Sequence, residues 1–293
     1  MTSFILGTDW WTDCDDAVAI RILMRAHLRG EVCVRGIAVN ACMPVSIPSL
    51  DAFLRTEGVS DMPLGLDAEA VDYSGRPPYQ KRLSELYPDL RRNEDAEDAV
   101  RLYRRLISEC DGDLEIIEIG YPQVLAALLQ SEGDDISPLR GRDLVREKVR
   151  RLWVMAGKWN ENPGRENNFT RSPRSRLGGK LLCELCPVPI TFLGWEVGRT
   201  VVSGGELSSD DVLHTVLCDH GSANGRYSWD PMLVQLAIVG DEKRAGYSVV
   251  RGYAQVDAET GENIFCEDAD GPHCYVVKDM LDEWYVKQIN DAI

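Results

Sequence analysis

The chain has 293 residues, 44 % of them hydrophobic and 27 % charged, which excludes collagen-like, disulfide-scaffold and wholly disordered classes and predicts a sizeable buried core. Forty-eight acidic against 32 basic side chains leave a formal charge of −16, a balance that repels phosphodiester backbones and anionic lipid. No nucleic acid and no membrane is therefore expected as a partner, and a cation or a neutral polar ligand fits better. Nine irregularly spaced cysteines point to reduced thiols and a cytoplasmic location. The opening MTSFILGTDWW lacks a basic flank and reads as a strand rather than a signal peptide, and no run approaches the ~20 apolar residues of a membrane span.

Short apolar runs alternate with stretches at helical spacing. Phe4 to Leu6 reads as a strand, and Ala17, Val18, Ile20, Ile22, Leu23 and Ala26 mark an amphipathic helix stopped by Gly30. Val32 to Val39 is a second buried strand, Ser49 to Leu54 part of another helix, and Met62 to Leu66 a short strand before a loop through Arg76-Pro77-Pro78. Helix 95–109, strand Leu114 to Ile119 and helix Gln123 to Leu129 repeat the unit, as do strand Leu152 to Met155, helix 173–186 and strand Val188 to Leu193. Tyr247 to Val256 and Ile264 to Cys266 read as strands around the turn Glu259-Thr260-Gly261, and a last helix is expected over 278–291.

This alternation predicts an α/β fold, doubly wound, with a mostly parallel central sheet and helices on both faces. Ligands of such sheets bind beyond the carboxyl ends of the strands. With no repeat, low-complexity tract or linker, 1–293 reads as one domain.

The most informative stretch is Gly7-Thr8-Asp9-Trp10-Trp11-Thr12-Asp13-Cys14-Asp15-Asp16, with four carboxylates in eight residues where a strand hands over to a helix. Asp13, Asp15 or Asp16 capping the helix is one reading, each cap worth ~1 kcal/mol. Four carboxylates exceed the needs of a cap, and a hard divalent cation would relieve their repulsion; on these residues alone both readings stand.

The stretch resembles the aspartate signature of the inosine-uridine preferring nucleoside hydrolase family, in its longer variant Asp-x-x-x-Asp-x-Asp-Asp. Three further segments follow in order. Met155-Ala156-Gly157 through Asn160, Pro163, Glu166 and Asn168 resembles the family's ribose-binding segment, whose amides and carboxylates suit a vicinal diol and a hydroxymethyl group. Gly120-Tyr121-Pro122-Gln123 is similar to a turn whose main-chain carbonyl binds the metal, and Trp229-Asp230-Pro231-Met232 is similar to the family's His-Asp-Pro helix start.

The resemblance implies a Rossmann-like nucleoside hydrolase fold and a calcium-dependent N-glycosyl hydrolase that splits a ribonucleoside or related N-riboside into base and ribose. It implies calcium held by Asp9, Asp16, Asp230 and the Gln123 carbonyl, with Asp9 as the base that takes the proton of water. Asp15, Asn168 and Asp230 would hold the 2- and 3-hydroxyls, and Asn160 and Glu166 the 5-hydroxyl. It also implies a homodimer or homotetramer. Asp13 is left unassigned between ligand, supporting contact and cap.

The chain departs from the pattern at the leaving base. Trp229 stands where many members have histidine, and an indole donates no titratable proton. Trp10, Trp11, Trp159, Tyr227 or Trp229 could stack on a base, and His220 could supply a proton, although His214 and His220 also read as ordinary surface or helix histidines. The family's Gly-Asn after the second strand is replaced by Val39-Asn40-Ala41-Cys42. These departures keep open a non-catalytic calcium-dependent nucleoside or ribose binding protein. Asp13-Cys14-Asp15 resembles the Asp-x-Asp of haloacid dehalogenase-type phosphatases, but Trp10-Trp11-Thr12 separates it from its strand. Cys183-Glu184-Leu185-Cys186 lacks a matching second pair and reads as buried thiols rather than zinc ligands.

Overall fold

Phe4 and Leu6 pack into one apolar cluster and Ile5 into another, so the first strand is buried on both faces. A computed structural model describes residues 1–73 and 75–293. In chain order the elements are β1 (Ser3–Thr8), α1 (Asp15–Leu28), β2 (Cys33–Val39), α2 (Ser46–Thr56), β3 (Leu64–Leu66), α3 (Gln80–Leu83), β4 (Glu97–Asp98), α4 (Ala99–Ser108), β5 (Leu114–Glu118), α5 (Gln123–Gln130), α6 (Gly141–Lys148) and β6 (Val149–Met155). They continue with α7 (Asn167–Thr170), α8 (Pro173–Leu185), β7 (Ile190–Leu193), α9 (Trp195–Gly198), β8 (Val202–Ser203), α10 (Val212–His220), β9 (Arg226–Tyr227), α11 (Trp229–Val239), β10 (Tyr247–Val256), β11 (Asn263–Glu267), β12 (His273–Lys278) and α12 (Asp282–Ala292).

Ten strands form one sheet in the order β11-β10-β12-β7-β6-β5-β1-β2-β3-β4. All neighbours are parallel except β10, which runs antiparallel to both β11 and β12. The doubly wound expectation holds. Leu23 of α1 and Leu233 of α11 join the Phe4 side, while Leu102 of α4, Leu125 of α5 and Leu182 of α8 join the Ile5 side. After β1 the chain builds outward through β2 to β4, then returns to add β5 on the other side of β1. The strand order reverses there, leaving a crevice beyond the carboxyl ends of β1 and β5.

Two expectations need correction, and one helix was not expected. The helix expected over 95–109 begins at Ala99, because Asp98 caps it with its carboxylate (Arg101 N–H, 2.9 Å) and Glu97–Asp98 pair with β3. The helix expected over 278–291 begins at Asp282, because His273–Lys278 form a strand, β12, that sequence reading passed over. Its alternation is short, with His273, Cys274 and Val276 buried while Val277 is exposed, and its parallel partner β7 lies far back in sequence. Helix α6 was also missed, because only Leu144 and Val145 of its eight residues carry the apolar face.

His273 is buried, and its Nδ1 accepts the Ala254 N–H (3.0 Å). Burial lowers its pKa from 6.5 to about 4. As pH falls through 6.5 the unfolded chain takes up this proton and the folded chain does not. The contribution therefore declines from pH 6.5 to about 4, by at most about 3 kcal/mol, and levels off below. Urea unfolding at pH 7.5 and pH 5 should show a steeper acid-side loss in the wild type than in His273→Gln; parallel losses would remove this assignment.

Candidate active site

Where β1, β5 and β6 end side by side, a cavity of about 260 Å³ opens, lined by Asp9, Asp15, Asp16, Asp230, Glu166 and Asn168 together with Thr12, Asp13, Tyr121, Arg171, Trp195, Arg226 and Trp229. Asp9 follows β1 directly. The next residue, Trp10, sits at φ 46°, a left-handed conformation that costs a bulky residue of order 1 kcal/mol or more. Its indole holds the turn by packing on Phe53 and Tyr79 and donating to Ser49 Oγ (2.8 Å). The Trp11 N–H then donates to Asp9 Oδ1 (3.0 Å).

Asp15 and Asp16 open α1, and Asp230 lies in the first turn of α11. These helices pack together, so the Asp230 N–H reaches Asp15 Oδ2 at 3.2 Å across 215 positions of sequence. One carboxylate oxygen each from Asp15, Asp16 and Asp230 lies within 4.8 Å of the other two, and all three side chains are buried. The Thr8 hydroxyl donates to Asp16 Oδ1. None of the four aspartates near Trp10 makes a side-chain cap on α1, whose N-cap is Cys14. Capping therefore does not account for the cluster.

Its electrostatics are those of crowded, desolvated carboxylates. Burial, aided by the neighbouring acids, pushes Asp15, Asp16 and Asp230 well above the usual carboxylate range and Asp9 to about 7. Among the described residues none of these four forms an ion pair with a basic side chain. Acceptor-only oxygens that are buried, convergent and lacking a counter-charge are the donor set a hard divalent cation takes.

Asp13 behaves differently. Burial alone would raise its pKa, but Arg226 outweighs this and holds it below the usual range, with Nε (2.7 Å) and Nη2 donating to its two oxygens. Across the cavity Glu166 caps α7, its oxygens accepting the Asn168 N–H (2.8 Å) and the Gly157 N–H (3.0 Å). Burial pushes it to about 7 against those donors. The Asn168 side-chain amide is fixed by the Met155 carbonyl (2.8 Å).

The molecule as a whole resembles three solved structures at low sequence identity. A plant nucleoside hydrolase superposes with a TM-score of 0.74 at 16 % identity, covering 99 % of this chain and 98 % of that one. An inosine-uridine preferring nucleoside hydrolase from Bacillus anthracis gives 0.69 at 13 % identity, covering 100 % and 99 %. A purine-preferring ribonucleoside hydrolase from Gardnerella vaginalis gives 0.69 at 15 % identity, covering 99 % and 96 %. The chain has the nucleoside hydrolase fold. No protein-family profile matches the sequence, and no curated protein shows significant sequence similarity to it.

Within this nucleoside hydrolase fold, Asp9, Asp15, Asp16, Asp230, Glu166, Asn168 and Trp229 share the cavity, as does the unassigned Asp13. Other residues singled out in the sequence do not. Gln123 opens α5 and lines a separate cavity with Asp67 and Arg174. Asn160 is exposed and outside the cavity. Trp159 is a core residue among Phe169, Phe192, Phe265 and Tyr275, its Nε1 donating to the Ala156 carbonyl (3.0 Å). Trp10 is likewise core. Trp11 packs beside Tyr73, which stacks on Tyr121 at 4.4 Å, and Tyr227 lies exposed against the edge of Trp229. His220 pairs with Ser222 Oγ (2.8 Å) and lies 3.7 Å from Asp13 without lining the cavity, while His214 contacts Cys218.

Sequence reasoning passed over Glu118, Trp195 and Arg226. Glu118 ends an otherwise apolar strand, Leu-Glu-Ile-Ile-Glu, and a carboxylate there was the available signal. It is fully buried, its Oε1 accepting from Asn40 Nδ2 (2.8 Å) and the Gly120 N–H (2.9 Å), while Oε2 has no partner among the described residues. Burial pushes it to about 8. Gly7 pairs with it in register, and a Cβ on Gly7 would sit 2.1 Å from Oε2. Arg226 is the only basic residue between His220 and Asp230.

Two outcomes follow from this geometry. Gly7→Ala should lower stability by about 1–3 kcal/mol through overpacking against Glu118, read by chemical denaturation. Divalent cation added to chelated protein at about 100 times its dissociation constant should raise the thermal midpoint by roughly 5 °C or more, an effect lost in Asp16→Asn and Asp230→Asn.

Proposed function

We propose that the chain hydrolyses the N-glycosidic bond of a ribonucleoside or related N-riboside, releasing base and ribose, and that calcium is its metal. The observation that carries this reading is the buried convergence of Asp15, Asp16 and Asp230 beside Asp9, in one cavity with Glu166 and Asn168. Asp9, Asp16 and Asp230 would hold the ion, whose charge offsets theirs and makes a nearby water more acidic.

The chain's own residues supply the rest. Asp9 accepts the proton of the attacking water. Asp15, Asp230 and Asn168 hold the 2- and 3-hydroxyls, and Glu166, fixed by two backbone N–H groups, accepts from the 5-hydroxyl. Fixed acceptors around a ring that gains positive charge lower the barrier as the bond breaks. Trp195 and Trp229 give the cavity an aromatic wall for a base. The nucleoside hydrolase fold supports the same reading. All nine cysteines are free, which fits a reducing cytoplasm, and we infer a homo-oligomer from the resemblance in the sequence. No described helix is long and apolar enough to cross a membrane.

A second reading, a nucleoside-binding protein without turnover, is favoured by one contact. The Trp229 N–H donates to the Trp195 carbonyl (2.7 Å), so this side chain offers a leaving base no hydrogen. The phosphatase reading loses its nucleophile, because both oxygens of Asp13 are engaged by Arg226.

Ribose release from a panel of purine and pyrimidine nucleosides separates the two. The hydrolase reading expects release with calcium, loss on chelation, and a fall in kcat of at least about 100-fold in Asp9→Asn. Calcium-dependent nucleoside affinity with no release from any substrate would establish the binding protein instead.

A further inference from the structure

Trp229 leaves an unanswered chemical need. When the C–N bond breaks, its electron pair goes to the base nitrogen, while water adds to the anomeric carbon and gives its proton to Asp9. The departing base carries negative charge. Neither Trp229 nor His220 is placed to meet it, since the indole N–H is bound to Trp195 and His220 does not line the cavity.

We propose that Arg226 is the catalytic residue for the leaving base, holding its developing anion by hydrogen bonding and charge, and that Asp13 is the positioning residue that aims it. The proposal rests on the hydrolase reading above. Four observations carry it. Arg226 lines the same cavity as Asp9 and Asp230. Its Nε and Nη2 are engaged by Asp13, while Nη1 has no hydrogen-bond partner among the described residues. Its guanidinium carbon lies 5.4 Å from the Trp229 ring centre and 5.1 Å from the Tyr227 ring centre, so both aromatic rings attract its charge. Its backbone belongs to β9, paired with β8 at Ser203, and Ser228 Oγ meets Ser203 Oγ at 2.8 Å.

Asp13 is itself anchored, because the buried Tyr79 hydroxyl donates to its carbonyl (2.8 Å). A guanidinium does not give up a proton at neutral pH, so it stabilises the base anion as a donor, and the base takes its proton from solvent after release. The preferred substrates are accordingly N-ribosides whose base has an acceptor nitrogen or oxygen near the bond that breaks.

The test compares leaving groups, using the full chain with calcium. On natural nucleosides Arg226→Met should lower kcat about 100-fold, yet on p-nitrophenyl riboside, whose leaving group needs no help, kcat should stay within about threefold. Asp13→Asn should show the same split. Arg226→Lys, which keeps the charge without the fork, should fall between wild type and Arg226→Met on nucleosides. The thermal shift with calcium should survive in all three variants. Equal losses on both substrate types, or no loss on nucleosides, would overturn the role of Arg226 while leaving the hydrolase reading intact. A wild type that releases ribose from neither substrate would overturn the hydrolase reading and this role with it.

Discussion

Carboxyl groups crowded together out of water are the constraint around which this molecule is arranged. Asp9, Asp15, Asp16 and Asp230 converge with hydrogen bonds but, among the described residues, no basic ion-pair partner, and Glu118 lies buried nearby. Such a group stays together only because the scaffold holding it is over-determined. β1 is buried on both faces, α1 and α11 are packed helix to helix, and the turn between β1 and α1 is pinned by Trp10 in an unfavourable backbone conformation. Stability is generated in the apolar layers and drawn on at the strand ends.

The same arrangement separates roles among chemically identical side chains. Asp13, Asp15 and Asp16 are neighbours in sequence, yet Asp13 faces Arg226 and is held ionised, while Asp15 and Asp16 turn inward with Asp230. Helical geometry makes this possible: Asp13 precedes α1, whereas Asp15 and Asp16 lie in its first turn and point along directions set by the helix. The longer form of the aspartate motif thus adds a carboxylate that serves a guanidinium instead of joining the buried three.

Much of this was legible in the sequence. The strand-helix alternation gave the doubly wound sheet, the aspartate run stood out by its crowded carboxylates, and Glu166, Asn168 and Asp230 were picked out by resemblance to the motifs of a known family. Legibility failed where a residue's place depends on partners distant in the chain. Trp159 read as a ring that could stack on a base, but Phe192, Phe265 and Tyr275 from later elements pack against it. Gln123 and Asn160 matched a motif by spacing, and neither is among the residues that line the cavity. Arg226 was passed over because its meaning comes from Asp13, 213 positions away.

β12 has a consequence for how the chain assembles. It is the twelfth strand in chain order, yet it lies inside the sheet, between β7 and β10. Until residues 273–278 arrive, β7 presents an open, apolar edge and the antiparallel pair β10-β11 has no seat on the parallel sheet. Closure of long loops precedes the contacts that reward it, so these three strands are expected to join late and slowly, with exposed backbone groups prone to pairing between chains. Loss of residues 274–293 would therefore break the sheet between β7 and β10 rather than trim its edge, although the cavity itself draws no residue from that stretch.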